Sequence, residues 1–434
     1  MTERAPYLLA GDGRPEAIQA KFMYQLTLGK MLQPEMKAAS DRPVSYLRAA
    51  NVQWHHLELT DVATMFASDD EVESLGLQSG DLLVCEGGEV GRAAVLRANL
   101  PEDMIIQNSV HRVRSRNGNN TRYLGYVLQY IATSGWFDVI CNRATIAHFT
   151  VDKFGELLVP SPSPDEQRRI ANHLDHEVEK IESLVGAKLA LLKLLAEKRR
   201  ALIANAVMRG LNPDVTMRDS GIEWLGAVPS HWHTENTRWL LDEIDDRSED
   251  GSEELLTVSH LTGVTTRAEK DVNMFLAESN EGYKRCRAGD LVINTLWAWM
   301  GAMGVARQDG IVSPAYNVYR PTQGFDPGYL DYLVRTPMFV AEVTRYSKGV
   351  WSSRMRLYPE GLYEASMPFP SLAEQEQIAR AVAHSIQHMD ALSDATKNTI
   401  TLLEERRTAL IAAAVYGTTV ATNSLPKKDI VHAS

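Results

Sequence analysis

No run in the sequence approaches the ~20 apolar residues that a bilayer-crossing helix needs. The N-terminal stretch MTERAPYLLAGDGRPE sets charges, glycine and proline where a secretory signal would place an apolar core and a small-residue cleavage site. Both absences point to a soluble chain that is not exported. Cysteine is scarce: Cys85, Cys141 and Cys286 are widely separated and form no CxxC pair, which argues against a disulfide framework or a zinc knuckle and fits a reducing cytoplasm. Positive charge is short as well. With a net charge of -11 the chain cannot coat nucleic acid by bulk electrostatics, so any DNA-binding surface must be local or shared with a partner. A GxxxxGK[ST] loop is also missing, which excludes ATP-driven translocation by this chain.

What the sequence does hold is a long repeat. At 434 residues it suits two domains rather than one core. Residues 162–207 align without a gap on residues 370–415, with 19 identities in 46 positions, among them Glu166/Glu374, Gln167/Gln375, Ile170/Ile378, Leu184/Leu392 and Arg199/Arg407. A period this long is a duplication of a whole domain with its helix, not a solenoid. Neither copy meets a proline over more than 40 residues after its start. Leu174, Ile181, Leu195 and Leu202 in the first copy fall at heptad spacings, with Ile170, Leu184 and Leu191 at the second seam position and Val178, Val185 and Leu192 widening the stripe; Val382, Met389, Leu403 and Leu410 do the same in the second, with Ile378, Leu392, Ile386 and Ile400. A helix of ~40 residues is ~60 Å long and needs a partner for its stripe. Pairing the two copies about a pseudo-two-fold axis makes an antiparallel coiled coil with a domain at each end.

The segments ahead of the helices echo one another more weakly. GDLLV at Gly80–Val84 matches GDLVI at Gly289–Ile293, each strand-like after a Gly-Asp turn. RYLGYVL (122–128) matches GYLDYLV (328–334) in helical pattern, while SVHRVR (109–114) and AYNVYR (315–320) alternate like core strands. The fold class expected is α+β: two globular mixed α/β domains separated by two long helices. The boundaries expected are 1–159 and 211–369 for the domains, 160–210 and 370–416 for the helices, and 417–434 for a small, polar tail.

The helix starts of form PxPxxEQxxIA, the opening GIEWLGAVPSHW of the second domain, and WAWMGAMGV with IVSPAYNVYRP together resemble the DNA-specificity subunit of type I restriction-modification systems. The resemblance runs over essentially the whole chain, although the first domain opens with FMYQLTLGKMLQPEM and lacks the proline-tryptophan form. It implies two target-recognition domains, each reading half of a bipartite, asymmetric site in double-stranded DNA, with the helices fixing their separation at about one duplex turn, roughly 34 Å. It also implies two docked methyltransferase subunits that bind S-adenosylmethionine and methylate flipped adenine, and a motor-nuclease subunit that uses ATP and Mg. The chain itself lacks an Asn/Asp-Pro-Pro-aromatic segment and is expected to catalyse nothing and to bind no cofactor. GGEVGR (87–92) reads as a turn, and the pairs His384/His388, His55/His56 and His231/His233 read as surface or structural histidines rather than metal ligands.

Base readout needs paired donors and acceptors such as Arg, Asn and Gln, with Ser, Thr and Lys on phosphates. Two locally basic segments in corresponding places have that composition. The first offers Asn142, Arg143, Thr145, His148 and Lys153; the second offers Arg345, Lys348, Ser352, Ser353, Arg354 and Arg356 around Trp351. RVRSRNGNNTR (112–122) is denser still in Arg and Asn, yet its Asn-Gly pair reads as a solvated strand-to-helix connection. Two other readings stay open: a tandem coiled-coil scaffold, and a free-standing DNA-binding regulator. Substituting Arg354 is expected to weaken recognition of one half-site only, which binding to duplexes altered in either half-site would measure.

Overall fold

The computed structural model describes residues 16–100, 102–141, 148–267, 279–322, 324–349 and 355–416. The chain divides into two compact units, one made of the residues up to Lys188 together with those from Asn398 onward, the other of Leu189–Lys397.

Each unit is built on a four-stranded antiparallel sheet with the same strand order. In the first the order is Tyr24–Leu28, Val110–Ser115, Leu82–Cys85, Ala93–Val95; in the second it is Leu241–Ile244, Tyr316–Pro321, Leu291–Asn294, Met303–Val305. The registers correspond too. Val113 lies opposite Leu26 and Leu82, and its equivalent Tyr319 opposite Glu243 and Leu291. The alternation in SVHRVR and AYNVYR thus belongs to central strands, and GDLLV and GDLVI to their neighbours.

The Gly-Asp turns have a shared physical purpose. Gly80 and Gly289 both sit at φ +95°, where a side chain would be strained. This places the next residue, Asp81 or Asp290, inward and almost wholly buried. Asp81 accepts from Arg114 at 2.7 and 3.0 Å and from the Gln78 N–H at 2.9 Å. Asp290 accepts from Arg320 at 2.9 and 2.8 Å and from the Arg287 N–H at 2.8 Å. A buried carboxylate is tolerable only when paired and hydrogen-bonded in this way.

Around these matching sheets the units differ. The first adds a three-stranded sheet, Ala63–Ala67, Arg42–Leu47 and Met104–Ile106, whose last pairing is parallel. The second has instead the pairs Leu256–Ser259 with Gly263–Thr266 and Lys284–Cys286 with Gly310–Val312.

Two long helices span Pro164–Arg209 and Leu372–Tyr416. In the first unit Ala171, Leu174 and Val178 share a core with Ile411, Val415 and Tyr416; in the second, Ala204, Val207 and Met208 share one with Ile378, Val382 and Ile386. Within each unit the two helical segments therefore run in opposite directions. Each is crossed by one ion pair at matching positions, Glu182 with Arg407 and Asp390 with Arg199, both at 3.8 Å. Pairs this long and exposed contribute little stability and serve to mark register.

Two expectations need correction. The start of each helix does pack on its own domain, so the partner helix is not its sole cover. The heptad seam is also incomplete: Leu184 and Leu392 are 51% and 48% exposed. The covered seam runs instead through Leu174, Val178, Ile181, Val185, Leu192 and Leu195, and through Val382, Ile386, Met389, Thr396, Ile400 and Leu403, so Leu184 and Leu392 stand beside it rather than on it.

The Glu-Gln pairs at the helix starts explain themselves at this level. Gln167 is fully buried. Its Nε2 donates to Asn119 Oδ1 and the Pro162 carbonyl, and its Oε1 accepts from the Asn120 N–H at 2.8 Å. Gln375 repeats this with the Pro370 carbonyl and the Asp326 N–H at 2.9 Å. Asn120 and Asp326 are themselves the caps of the helices Thr121–Thr133 and Pro327–Val334. One glutamine thus locks the long helix to the cap of a domain helix in each unit. Replacing Gln167 or Gln375 by Ala leaves a buried N–H unpaired and is expected to cost about 1–3 kcal/mol, read from chemical denaturation of the full chain.

Candidate nucleic-acid interface

In the second unit the predicted readout segment leaves the helix Pro337–Arg345 and returns to the helix Pro359–Glu364. Its base is a backbone bridge: the N–H groups of Lys348 and Arg356 each donate to the other's carbonyl at 2.9 Å. Both side chains are exposed, and the Lys348 ammonium lies 5.9 Å from the Tyr358 ring centre. These cations can meet phosphates or base edges without unfolding anything. Arg345 is differently placed. It pairs with Glu342 and Glu223 at 3.4 Å and donates to the Tyr346 hydroxyl at 2.8 Å, which raises its pKa, the tyrosine hydroxyl contributing most. Trp351, Ser352, Ser353 and Arg354 lie outside the described residues.

In the first unit His148 is exposed at the end of the corresponding segment. The Lys153 ammonium donates to the carbonyls of His148, at 3.1 Å, and Cys141, at 3.4 Å, and so staples the two flanks of that segment together. Asn142, Arg143 and Thr145 lie outside the described residues. The flank is anchored from below by Phe149, which is buried, stacks on Phe154 with ring centres 4.7 Å apart, and has its carbonyl held by the buried His111 Nε2 at 2.7 Å.

Within the basic run at 112–122 the Asn-Gly pair is an exposed turn between the strand Val110–Ser115 and the helix Thr121–Thr133, with Asn117 and Gly118 at positive φ, while the arginines on its flanks hold partners inside the unit. Arg112 donates to the Gly76 carbonyl, Arg116 to that of Lys21, and Arg122 to Asp175 and Asn172 on the first long helix. The histidines at 55 and 231 are likewise engaged, His55 with Gln129 Oε1 at 2.7 Å and His231 with Glu374 at 3.0 Å. Among the described residues no group of three or more His, Cys, Asp or Glu side chains could hold a metal ion. Among the same residues no helix is long and apolar enough to cross a membrane.

Residues 70–193 match the family described as the type I restriction modification DNA specificity domain. A curated relative, the type I restriction enzyme EcoBI specificity subunit of Escherichia coli, is 23% identical over 327 residues, covering 70% of this chain and 67% of the relative. A chain from a structural study of complex assembly and conformational transition of the type I R-M system superposes with a TM-score of 0.68 at 15% identity, over 95% of this chain and 100% of that one. The HsdS subunit from Thermoanaerobacter tengcongensis gives 0.52 at 15% identity, over 92% and 97%. Residues 70–193 thus resemble a type I DNA specificity domain, and the fold of nearly the whole chain resembles that of solved type I R-M chains.

One contributor to the candidate surface escaped the sequence reading. The loop after the Gly-Asp strand is joined to the readout segment in both units: the Phe149 N–H donates to the Glu86 carbonyl at 2.8 Å, and the Leu357 N–H to the Thr295 carbonyl at 3.1 Å. The run GGEVGR is therefore a turn, as its spacing suggests, but one seated against the predicted DNA-facing segment. Its signal in the sequence was the aromatic density of LWAWM at the equivalent place.

Burial holds the pKa of both His55 and His111 below the ordinary value, against the pull of their hydrogen bonds. Both fold as neutral imidazoles. The unfolded chain takes up protons first as pH falls through about 6.5, so stability is present above that value and lost below it. Denaturation of the full chain at pH 7.5 and 5.5 is expected to show the fall, and a His111→Gln variant, which keeps the donor to Phe149, a shallower one.

Proposed function

We propose that this chain is the DNA-reading, non-catalytic component of a restriction-modification complex, with each unit recognising one half of a bipartite, asymmetric site in double-stranded DNA. The observation that carries this reading is the pairing of identical scaffolds with different surfaces. Sheet order, Gly-Asp turn, Arg-Asp pair and glutamine lock recur in both units, whereas the loops around Glu86 and Thr295 and the segments after Cys141 and Arg345 share neither length nor chemistry. A duplicated frame with divergent loops suits two reading heads for two unlike sequences.

On this reading the paired helices set the spacing between half-sites and offer equivalent surfaces to two methyltransferase subunits. Those subunits would bind S-adenosylmethionine and methylate adenine at N6, and a motor-nuclease subunit would bring ATP and Mg. The net charge of -11 is tolerable if the partners supply much of the phosphate contact. The test is electrophoretic binding to genomic fragments, together with adenine-methylation mapping in cells with and without this chain. Specific binding is expected to be weak for the chain alone and sharply stronger with the methyltransferase, and the mapped site to be two short elements around unread bases. Absence of DNA binding in both settings would favour a protein scaffold, and tight specific binding by the chain alone a free-standing regulator.

A further inference from the structure

The loop Thr295–Gly301 carries a feature that the fold does not use. Trp297 is 50% exposed, and its ring lies nearly parallel to that of Trp299, 17° between planes and 6.3 Å between centres. Leaving an indole in water forgoes burial worth more than that of almost any other side chain. The loop is not loose. The Trp297 N–H donates to the Asn294 carbonyl, the Trp297 carbonyl accepts from Met300 and Ala302, and the Trp299 indole N–H donates to the Leu296 carbonyl at 3.1 Å. Gly301 turns the chain at φ +86° where a side chain would press on Val340 of the helix Pro337–Arg345. A rigid platform therefore presents the ring.

Its position gives the ring a purpose. Thr295 is hydrogen-bonded to Leu357, the residue between Arg356 and Tyr358, so the platform adjoins the base of the segment whose cations Lys348 and Arg356 face outward. Tyr358 is itself 43% exposed. Exposed aromatics interleaved with exposed cations suit a surface that touches both phosphates and base edges. In the first unit the turn at the same junction, Gly87-Gly88-Glu89, carries no aromatic residue of its own: Phe149 beside it is buried, and Glu89 accepts from the Trp54 indole N–H at 2.7 Å. A structural role for the indole would apply equally to both scaffolds; a reading role need not.

We propose that Trp297 is a sequence-reading residue of the second unit, making apolar contact with a base edge in the half-site that unit recognises. The apolar group a base edge offers in the major groove is the thymine methyl. The inference rests on the proposed DNA-reading function and adds a residue to it.

The test uses the full chain in complex with its methyltransferase subunit and duplexes carrying the mapped site. Trp297→Ala is expected to weaken binding roughly tenfold. The loss should follow the second unit's half-site, being absent on a duplex where that half-site is already scrambled. The slope of log affinity against log salt should stay unchanged, because no phosphate contact is lost. Replacing the thymines of that half-site by uracil, which removes only the methyl, should weaken the wild type comparably and the variant little further. Chemical denaturation of Trp297→Ala and its co-elution with the methyltransferase subunit serve as the folding and assembly controls. If Trp297→Ala binds as the wild type does, or loses affinity equally on all duplexes, or keeps its full sensitivity to uracil, the assignment falls. If the wild-type complex itself shows no sequence preference, it is the DNA-reading function that fails.

Discussion

A helix of 46 residues has more apolar stripe than one small domain can cover, and burying the surplus is the constraint from which this architecture follows. The solution is exchange. The N-terminal part of each long helix completes the domain that precedes it in sequence, and the C-terminal part completes the other. Val207 and Met208 lie in one core with Trp232 and Tyr329, and the Val207 carbonyl accepts from the Tyr329 hydroxyl at 2.9 Å; Ile411, Val415 and Tyr416 lie in one core with Leu124 and Val127. Neither helix could be shortened at its far end without exposing the core of the domain that does not immediately precede it.

Rigidity at the joints matters as much as burial. The buried glutamines, the caps they hold and the Arg-Asp pairs are all directional contacts, and all recur at equivalent places in the two units. Hydrophobic burial alone would hold a helix against a sheet while leaving its angle soft. A fully satisfied polar group in a dry site fixes that angle, because every displacement breaks a bond that water cannot replace. The loops that differ between units meet the predicted DNA-facing segments through backbone hydrogen bonds, at Glu86 and Thr295, which any side chain can keep, so they can diverge in chemistry without disturbing the frame.

The sequence made much of this legible. Proline-free heptads exposed the long helices, the constant offset of 208 exposed the duplication, and the Gly-Asp strands exposed both sheets, because each is a local pattern with a local cause. Leu184 and Leu392 were misplaced because heptad spacing does not tell which of two adjacent apolar stripes is covered: the covered one holds Val178, Val185 and Leu192, and Ile386 and Ile400. Arg112, Arg116 and Arg122 looked like surface charge because their partners, the carbonyls of Gly76 and Lys21 and the carboxylate of Asp175, are remote in sequence. The junction of Thr295 with Leu357 joins residues 62 apart, and only folding brings Trp297 beside the readout segment. Of the twelve residues proposed for DNA contact, Lys348, Arg356 and His148 are exposed, while Lys153 and Arg345 already hold partners within their own unit.

The exchange of helix ends also orders the birth of the molecule. Everything the second unit needs lies in one continuous stretch, Leu189–Lys397, whereas the first is incomplete until the ribosome has passed Asn398. At synthesis rates of about 5–20 residues per second, the N-terminal unit waits roughly 10–40 s for its closing helix segment. The part of the chain made first is therefore the last to close, and through that interval its apolar floor around Leu124 and Val127 stands open to whatever else the cell contains.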